Sequence, residues 1–353
     1  MLGSLCIQRF SAPLFVQSGP DWLRHGMKQN KPSAQTATIR EIARRAEVSI
    51  ASVSRALNGK PGISDALRDK ILTISREVAY QPSAAARQLI SGKAAVVGIS
   101  LGRQDIELRP YYILLYQHLT VALHQQGMVP IFFHHDQTHE LPERAGAAIL
   151  LGETGEDERP GVLRAAGIPF VRIGRAGEGF SVAPDDVSGL YQITQHLIQQ
   201  GRTRIAFVGG ELDVPRPHSR LSGYQQAMAE AALSEQLLSL PYRFTSDSLT
   251  SYRYLNRILN HDDPLSFDAL VCATDELALG CVAALEDRDI RVPEDVAVTG
   301  FDDLPTLATG LTTVRQDIAA IAAMSVELLS EALAGKAPRH VSLPVALVLR
   351  ETS

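Results

Sequence analysis

From residue 94 onward the chain alternates short apolar runs with segments of helical period. The runs at 95–99, 129–133, 147–151, 170–173, 205–208, 269–272 and 296–300 read as buried parallel strands, with a last strand at 345–349. Between them 113–126, 189–200, 219–232, 251–260 and 276–288 carry the spacing of amphipathic helices. Strand–helix alternation predicts doubly wound α/β sheets. Roughly 260 residues of it is large for one sheet and natural for two lobes with a cleft between them.

The stretch before it is all-helical in pattern. Thr38 and Glu41 have the spacing of a capping box, and Ile39, Ile42, Ala43 and Ala46 then form one apolar stripe. Glu47-Val48-Ser49 makes a turn, with Ser49 placed to cap a second helix. In that helix Val53, Ala56 and Leu57 face inward, leaving Ile50, Ala51, Ser54 and Arg55 outward. This is the layout of a helix-turn-helix, whose second helix enters the DNA major groove. A third helix runs from Ser64 to about Val78, with Leu67, Ile71, Ile74 and Val78 as its core stripe. Pro82 breaks the chain, and 83–89 is an alanine-rich stretch too short to be a stable helix alone. The expected domains are therefore an all-α head at 36–82, a hinge helix and linker at 83–93, and an α/β domain of two lobes at 94–353. Residues 1–35 lack periodicity and read as a disordered extension, with Met27 a candidate true start.

Charge sharpens this division. The chain is formally −5, yet residues 36–93 hold ten Lys/Arg against five Asp/Glu, and residues 94–353 hold twenty against thirty-three. A basic head on an acidic body directs phosphate attraction to the head alone. No run approaches the roughly eighteen apolar residues of a membrane span, and 5–16 is too broken for a signal-peptide core. Three cysteines, Cys6, Cys272 and Cys281, have no zinc spacing and suit a reducing cytoplasm. His134, His135 and His139 form a histidine cluster without a supporting carboxylate pattern, so a surface loop is expected rather than a metal site. No cofactor and no catalytic set emerge. Gly209-Gly210 is followed by no phosphate-loop signature.

The run AEVSIASVSRALNGK resembles the start of the LacI/GalR (lactose-repressor-type) transcription factors, with V-S-x-x-S/T-V-S-R intact. The likeness continues through Ser64–Ser91, including Tyr80-Gln81-Pro82 and Ala84-Ala85-Ala86-Arg87-Gln88-Leu89, and resumes as RVPEDVAVTGFDD, LTTVRQD and LPVALVLRETS. It implies two periplasmic-binding-protein-like lobes and a cytoplasmic, sequence-specific regulator, a repressor controlled by a small effector, a sugar or sugar derivative. Its other partners would be a palindromic double-stranded operator and a second copy of the chain. The chain runs to Ser353, just past the last strand, so a homodimer without a tetramerising heptad tail is expected. One departure stands out: about thirteen residues, interrupted by Pro142, separate the strand ending at Phe133 from the next, where the family usually has a longer helix.

The resemblance places Thr38, Ser49, Ile50, Ala51, Ser52, Ser54, Arg55, Asn58, Ala86 and Leu89 on DNA. Arg55 is the candidate for a bidentate guanine contact, and Ile50 and Ala51 can touch a thymine methyl. Leu89 matches the family's minor-groove wedge. Arg40, Arg44 and Arg45 read equally as phosphate contacts or as a solvated helix face. For the effector the resemblance implies Tyr111, Tyr112, Arg175, Arg220, Phe244, Asp275, Asp302 and Gln316. Tyrosine faces stack on sugar rings, and Arg220 is a fork donor for vicinal hydroxyls or a carboxylate. Asp302 closes a strand where α/β clefts gather ligands. Thr274 stands where the family commonly has asparagine, and Asp275 reads equally as a helix cap. Two other readings compete: a solute-binding protein of the same fold without a regulatory role, and an enzyme. Salt-dependent binding to palindromic DNA separates them from the first.

Overall fold

The computed structural model describes residues 39–57, 61–78, 95–100, 109–152, 157–174, 178–210, 219–240, 248–259, 264–307 and 309–353. The expected N-terminal extension and the hinge at 83–93 lie outside the described residues. The chain divides between Gln81 and Pro82 into two compact units.

The first unit packs three helices, α1 (Ile39–Ala46), α2 (Ile50–Leu57) and α3 (Asp65–Glu77). The predicted stripes meet at its centre: Ile42, Ala43, Ala46, Val53, Ala56 and Ile71 are buried together. Half of these are alanines, which lets the short helices approach closely. α1 stops at Glu47, whose φ of 61° leaves helical space, while the Val48 amide donates back to the Ala43 carbonyl (3.0 Å). Lys70 on α3 donates to the Ala46 carbonyl (3.2 Å), a cation at the negative end of α1. Ser64 caps α3 by accepting from the Leu67 amide.

The second unit holds two six-stranded sheets. The N-lobe sheet contains β1 (Val96–Ser100), β2 (Val129–Phe133), β3 (Ala147–Leu150), β4 (Phe170–Ile173), β5 (Phe180–Pro184) and β11 (His340–Leu343), in the order β11-β5-β4-β3-β1-β2. The C-lobe sheet contains β6 (Ile205–Gly209), β7 (Gln236–Ser239), β8 (Ala269–Cys272), β9 (Ala297–Asp302), β10 (Thr312–Gln316) and β12 (Val345–Val348), in the order β12-β10-β9-β8-β6-β7. Pairing is parallel except between β10 and β12. The chain passes between lobes after β5, after β10 and after β11. Helix α4 (Pro110–Gln125) and α11 (Ile318–Leu333) pack into the N-lobe core through Leu115, Leu119, Leu123, Ile321, Leu328 and Leu329. Helix α7 (Asp186–Gln199) fills a C-lobe cluster with Leu190, Ile193 and Leu197, beside α8 (Ser219–Glu230). Helices α9 (Ser248–Ile258) and α10 (Asp275–Glu286) cover the other C-lobe face. Among the described residues no helix is long and apolar enough to cross a membrane.

The short crossover after β2 has a definite structure. His135–Glu140 forms a 3-10 turn, followed by the single turn α5 (Leu141–Arg144). The Gln137 carboxamide accepts from the His134 amide (3.2 Å) and the Thr138 hydroxyl donates to the His135 carbonyl (2.7 Å), which fixes the turn locally. Leu141 is buried and, with Phe133, lies directly on Gly98 of β1. A Cβ at Gly98 would stand 2.5 Å from Leu141 Cδ1 and 2.9 Å from Phe133 Cε1. Absence of a side chain there lets a turn do the covering that a longer helix would otherwise do. The next element, α6 (Arg159–Ala165), completes this small core with Leu163.

Gly98→Val should therefore overpack the site and cost about 1–3 kcal/mol. Leu141→Ala alone should also destabilise, by about 2–5 kcal/mol. In the double variant the two costs should sum to less than their separate values, because the added methyls enter the space the leucine leaves. Urea unfolding of the four proteins tests this, and strict additivity would count against direct packing of Leu141 on Gly98.

Candidate functional site

In the first unit the candidate surface is the outer face of α2. The Ser49 hydroxyl accepts from the Ser52 amide (3.1 Å) and pairs with the Ser52 hydroxyl (3.0 Å), so the helix begins where the sequence places it. Ile50 is 46% exposed, an apolar side chain held in solvent by a helix whose other face is core. Ser49 and Arg55 are exposed, and Ser52 and Ser54 are half-buried. The described arginines of α1 and the arginine of α2 divide clearly. Arg44 and Arg45 both pair with Glu41 (2.7 and 2.8 Å), and these bonds hold the Glu41 carboxyl down at about 2. Arg55 makes no hydrogen bond or ion pair among the described residues. Its donors are available, as those of a base-reading fork must be. Glu41 spends its carboxylate on these arginines; its expected capping partner Thr38 lies outside the described residues, as do Asn58, Ala86, Leu89 and the side chains of Arg40 and Ala51.

In the second unit a polar cluster forms where strands end and helices begin. Arg220, in the first turn of α8, donates from Nε to Asp186 Oδ1 (3.0 Å) and from one terminal nitrogen to the Ala273 carbonyl (2.5 Å). Its other terminal nitrogen lies 3.4 Å from Asp302 Oδ1, and the guanidinium sits 3.7 Å over the Phe301 ring. Ser219 donates to Asp186 Oδ2 (2.8 Å). Gln316, at the end of β10, donates to Asp302 Oδ1 (2.6 Å). Helix starts supply Asp186, Ser219 and Arg220, and strand ends supply Asp302 and Gln316, so side chains distant in sequence converge at one end of the C-lobe sheet.

The electrostatics follow from burial. Burial pushes the Asp302 carboxyl up to about 8, and Asp275 and Asp186 add to this; the Arg220 charge and the Gln316 hydrogen bond oppose it. Burial likewise raises Asp275 to about 6. For Arg220, burial works against the charge, but Asp186 and Asp302 outweigh it and raise its pKa. Backbone strain coincides with this site: Asp302 and Asp303 have φ of 121° and 54°, values uncommon for non-glycine residues. Asp303 is pinned there by Arg315 Nε and by Arg350, each donating at 2.6 Å.

The N-lobe faces this cluster with Tyr111 and Tyr112, in the first turn of α4. Their rings meet edge-on at 5.1 Å. Burial raises both phenols, and the charges of Arg220 and Asp302 act on each of them. Beside them Arg159 is buried. It donates from Nε and a terminal nitrogen to Asp157 (both 2.8 Å), to the Ser100 hydroxyl (2.6 Å) and to the Gly152 carbonyl (3.2 Å).

Tyr111, Tyr112, Arg220, Asp302 and Gln316 are thus gathered in one region. Asp275 takes another part. Thr274, whose hydroxyl accepts from the Leu277 amide, is the cap of α10. Both Asp275 oxygens are engaged by the protein, one by the Leu304 amide (2.8 Å) and one by the Thr313 hydroxyl (2.5 Å). Of the two readings of Asp275, the helix cap falls to Thr274; Asp275 ties α10 to β10 and to the loop after β9. Gly300 makes the room, since a Cβ there would clash with this carboxylate. Arg175 and Phe244 lie outside the described residues. Sequence reasoning missed Asp186, Ser219, Phe301, Asp157 and Arg159. The cap signal of Asp185 and Ser188 marks the start of α7, and Asp186 follows the cap in the first turn.

Comparisons with known proteins fall on both units. Residues 38–83 match the family described as bacterial regulatory proteins, lacI family, and residues 194–353 match the periplasmic binding protein-like domain. The HTH-type transcriptional regulator GalR of Escherichia coli (strain K12) is 29% identical over 309 residues, covering 83% of this chain and 88% of the relative. CelR of Thermobifida fusca is 29% identical over 336 residues, covering 89% and 98%. Among solved structures, a transcriptional regulator CelR–cellobiose complex superposes with a TM-score of 0.66 at 25% identity, covering 90% of this chain and all of the other. A lac repressor dimer bound to operator and an anti-inducer shares the fold, with a TM-score of 0.65 at 22% identity, covering 90% of this chain and 99% of the other.

The raised Asp302 carboxyl makes a signed prediction. Its usual value is 3.8 and its folded value about 8, so the folded state keeps a proton that the unfolded state has released across that interval. Its contribution to stability is fully present below about pH 4 and is lost as pH rises through about 8. Asp302→Asn removes this titration. The melting temperature of the variant relative to wild type should climb from pH 5 to pH 9 in differential scanning calorimetry; a pH-independent difference would overturn the assignment.

Proposed function

The chain belongs to the lacI family of bacterial regulatory proteins, and on that premise we propose that it is a cytoplasmic repressor. Its head reads a palindromic operator, and a sugar or sugar derivative held between the two lobes controls that binding. The observation that carries the DNA half is α2, a capped helix presenting Ile50 and an unengaged Arg55 outward. Phosphate contacts give register and base edges give sequence; Arg55 supplies the guanine fork and Ile50 the apolar contact. Ala51, Ser49, Ser52 and Ser54 complete that surface. Arg44 and Arg45 are held only by exposed pairs of small worth, so they can exchange Glu41 for phosphate. We place Thr38, Asn58, Ala86 and Leu89 on DNA through their match to the family.

The effector half rests on the Arg220–Asp186–Asp302–Gln316 cluster facing Tyr111 and Tyr112. A related regulator is described as a complex with cellobiose, and stacking faces beside fixed polar groups suit a sugar ring. Arg175 and Phe244 join this site through the family match. A solute-binding protein with no regulatory role is disfavoured by the lacI-family head at 38–83, and the relatives are regulators rather than enzymes.

The working unit is a dimer. Ile113 and Val121 on α4 and Val129 and Phe132 on the edge strand β2 are exposed apolar side chains of one lobe, and Tyr116 meets Phe132 edge-on (5.4 Å). An uncovered apolar edge strand invites pairing, and a two-fold copy of this face would cover it.

Operator selected from a random palindromic pool should bind in a salt-dependent way. Arg55→Ala should lose about 1–3 kcal/mol and relax preference at one base position; unchanged affinity at equal salt would remove Arg55 from the reading surface. Sedimentation should show a dimer that Phe132→Glu converts towards monomer, and wild-type protein that stays monomeric at micromolar concentration would refute the interface. In a thermal-shift screen of sugars, the true effector at a hundred times its dissociation constant should stabilise by about 2.7 kcal/mol.

A further inference from the structure

The N-lobe sheet has its topological switch point between β1 and β3. In the order β11-β5-β4-β3-β1-β2 these strands are neighbours, paired in parallel with Ser100 opposite Leu150. From β1 the chain goes on to α4, whose Leu115, Leu119 and Leu123 pack with Val97 and Ile99 on one face of the sheet. From β3 it goes on to α6, whose Leu163 packs with Ala148 and Leu150 on the other. Connections that part to opposite faces leave a crevice at the strand ends, the place where open α/β sheets receive ligands. Here a side chain of the protein spans it. Arg159, the first residue of α6, is 1% exposed. Its Nη1 donates to the hydroxyl of Ser100, the last residue of β1 (2.6 Å), and its Nη2 to the carbonyl of Gly152, just beyond β3 (3.2 Å).

Asp157 completes the arrangement. It accepts from Arg159 Nε and Nη2 (both 2.8 Å), and its Oδ1 also accepts from the Arg159 amide (3.1 Å), which fixes the start of α6. From the short turn after β2, His135 brings Nε2 to 3.8 Å from the same oxygen. Burial works against the Asp157 charge, but the hydrogen bonds and charge of Arg159 overcome it and hold the carboxyl below its usual range.

Stability does not account for this ion pair. Two buried charges lose so much hydration that apolar residues of similar volume replace them at little or no cost. Nor does Arg159 have surface to offer a ligand. What the pair supplies is geometry, because a planar fork fixes the direction of each partner as a flexible ammonium does not. The partners lie beneath the effector-facing wall. Ile99 and Leu151, the neighbours of Ser100 and Gly152, belong to the core against which Tyr111 and Tyr112 pack, and the Arg159 charge reaches the Tyr112 phenol.

We infer that Arg159 is a positioning residue: with Asp157 it braces the N-lobe switch point, fixes the ends of β1 and β3 against each other, and so holds the wall from which Tyr111 and Tyr112 meet the effector. This rests on the sugar-effector reading above and adds to it a residue that never touches the sugar.

The test compares the full chain with three variants. Asp157→Leu combined with Arg159→Met replaces the pair by apolar volume, Arg159→Lys keeps the charge without the fork, and Ser100→Ala removes the tie to β1 alone. Each should melt in one transition and hold operator without sugar as wild type does. In hydrogen–deuterium exchange the amides at the ends of β1 and β3 should exchange about ten-fold faster or more in the double variant. The change should be smaller in Arg159→Lys and confined to β1 in Ser100→Ala, with β4 and β10 unaffected in all three. Glucose, galactose, ribose and cellobiose are then titrated calorimetrically, and the one that binds wild type should bind the double variant about ten-fold or more weakly. Wild-type exchange at both strand ends in the folded double variant overturns the brace. Faster exchange with undiminished sugar affinity overturns the positioning role. Should the double variant not fold, wild-type exchange and affinity in Ser100→Ala overturn the inference by themselves. If none of the four sugars binds wild-type protein that still holds operator, the sugar reading falls and with it the part Arg159 plays toward the effector; the brace then stands or falls on exchange alone.

Discussion

The effector unit is organised around the half-sequestered charge of Arg220. A guanidinium with so little solvent must find its partners in the protein, and each partner comes from a different element: Asp186 from the start of α7, the Ala273 carbonyl from the end of β8, Asp302 and Phe301 from the end of β9. Satisfying one side chain thus sets the register of two helix starts against two strand ends. The consequence spreads outward. Asp302 held by Arg220 and Gln316 takes a backbone conformation non-glycine residues avoid, and Asp303 is locked in turn by Arg315 and Arg350. Asp275 anchors the same loop from α10, through the Leu304 amide.

That arrangement ties the cluster to the connections between the lobes. The lobes are joined by three crossings, after β5, β10 and β11. Two of them leave from the cluster itself: β5 leads into α7, which begins with Asp186, and β10 ends at Gln316 before α11 enters the N-lobe core. A molecule that binds both Gln316 and the N-lobe tyrosines acts on the connections between the lobes, not only on their surfaces. A ligand shifts such an equilibrium by its difference in affinity for the two arrangements.

The head solves a different problem. With three alanines among six buried residues it has little apolar area to fold upon, so local devices matter: the Ser49 and Ser64 caps, the left-handed Glu47, and Lys70 at the end of α1. They fix α2 so that an exposed isoleucine and an unengaged arginine face outward without needing partners in the fold.

Much of this was legible along the chain because it depends on neighbours in sequence. The three head helices, their turn and caps, and the strands 129–133, 170–173 and 269–272 follow from periodicity and short-range hydrogen bonding, and the structure places those strands at the same residues. Strands β5, β7, β10 and β11 were not read, since QLLS, HVSL and TTVRQ mix polar residues that a sheet edge or a site tolerates and a periodicity test does not. The resemblance singled out Arg220, Asp302 and Gln316, but whether Arg220 is free to bind an anion could not be read from it. Asp186 lies 34 residues from Arg220 and Asp275 lies 38 from Thr313; only the folded chain reveals that one carboxylate occupies the arginine and that the other is spent on packing. Local sequence decides which elements form and which side chains are suited to chemistry. Tertiary structure decides which of those side chains still have an unfilled hydrogen bond, because in a buried site that depends on every group brought within about 3 Å.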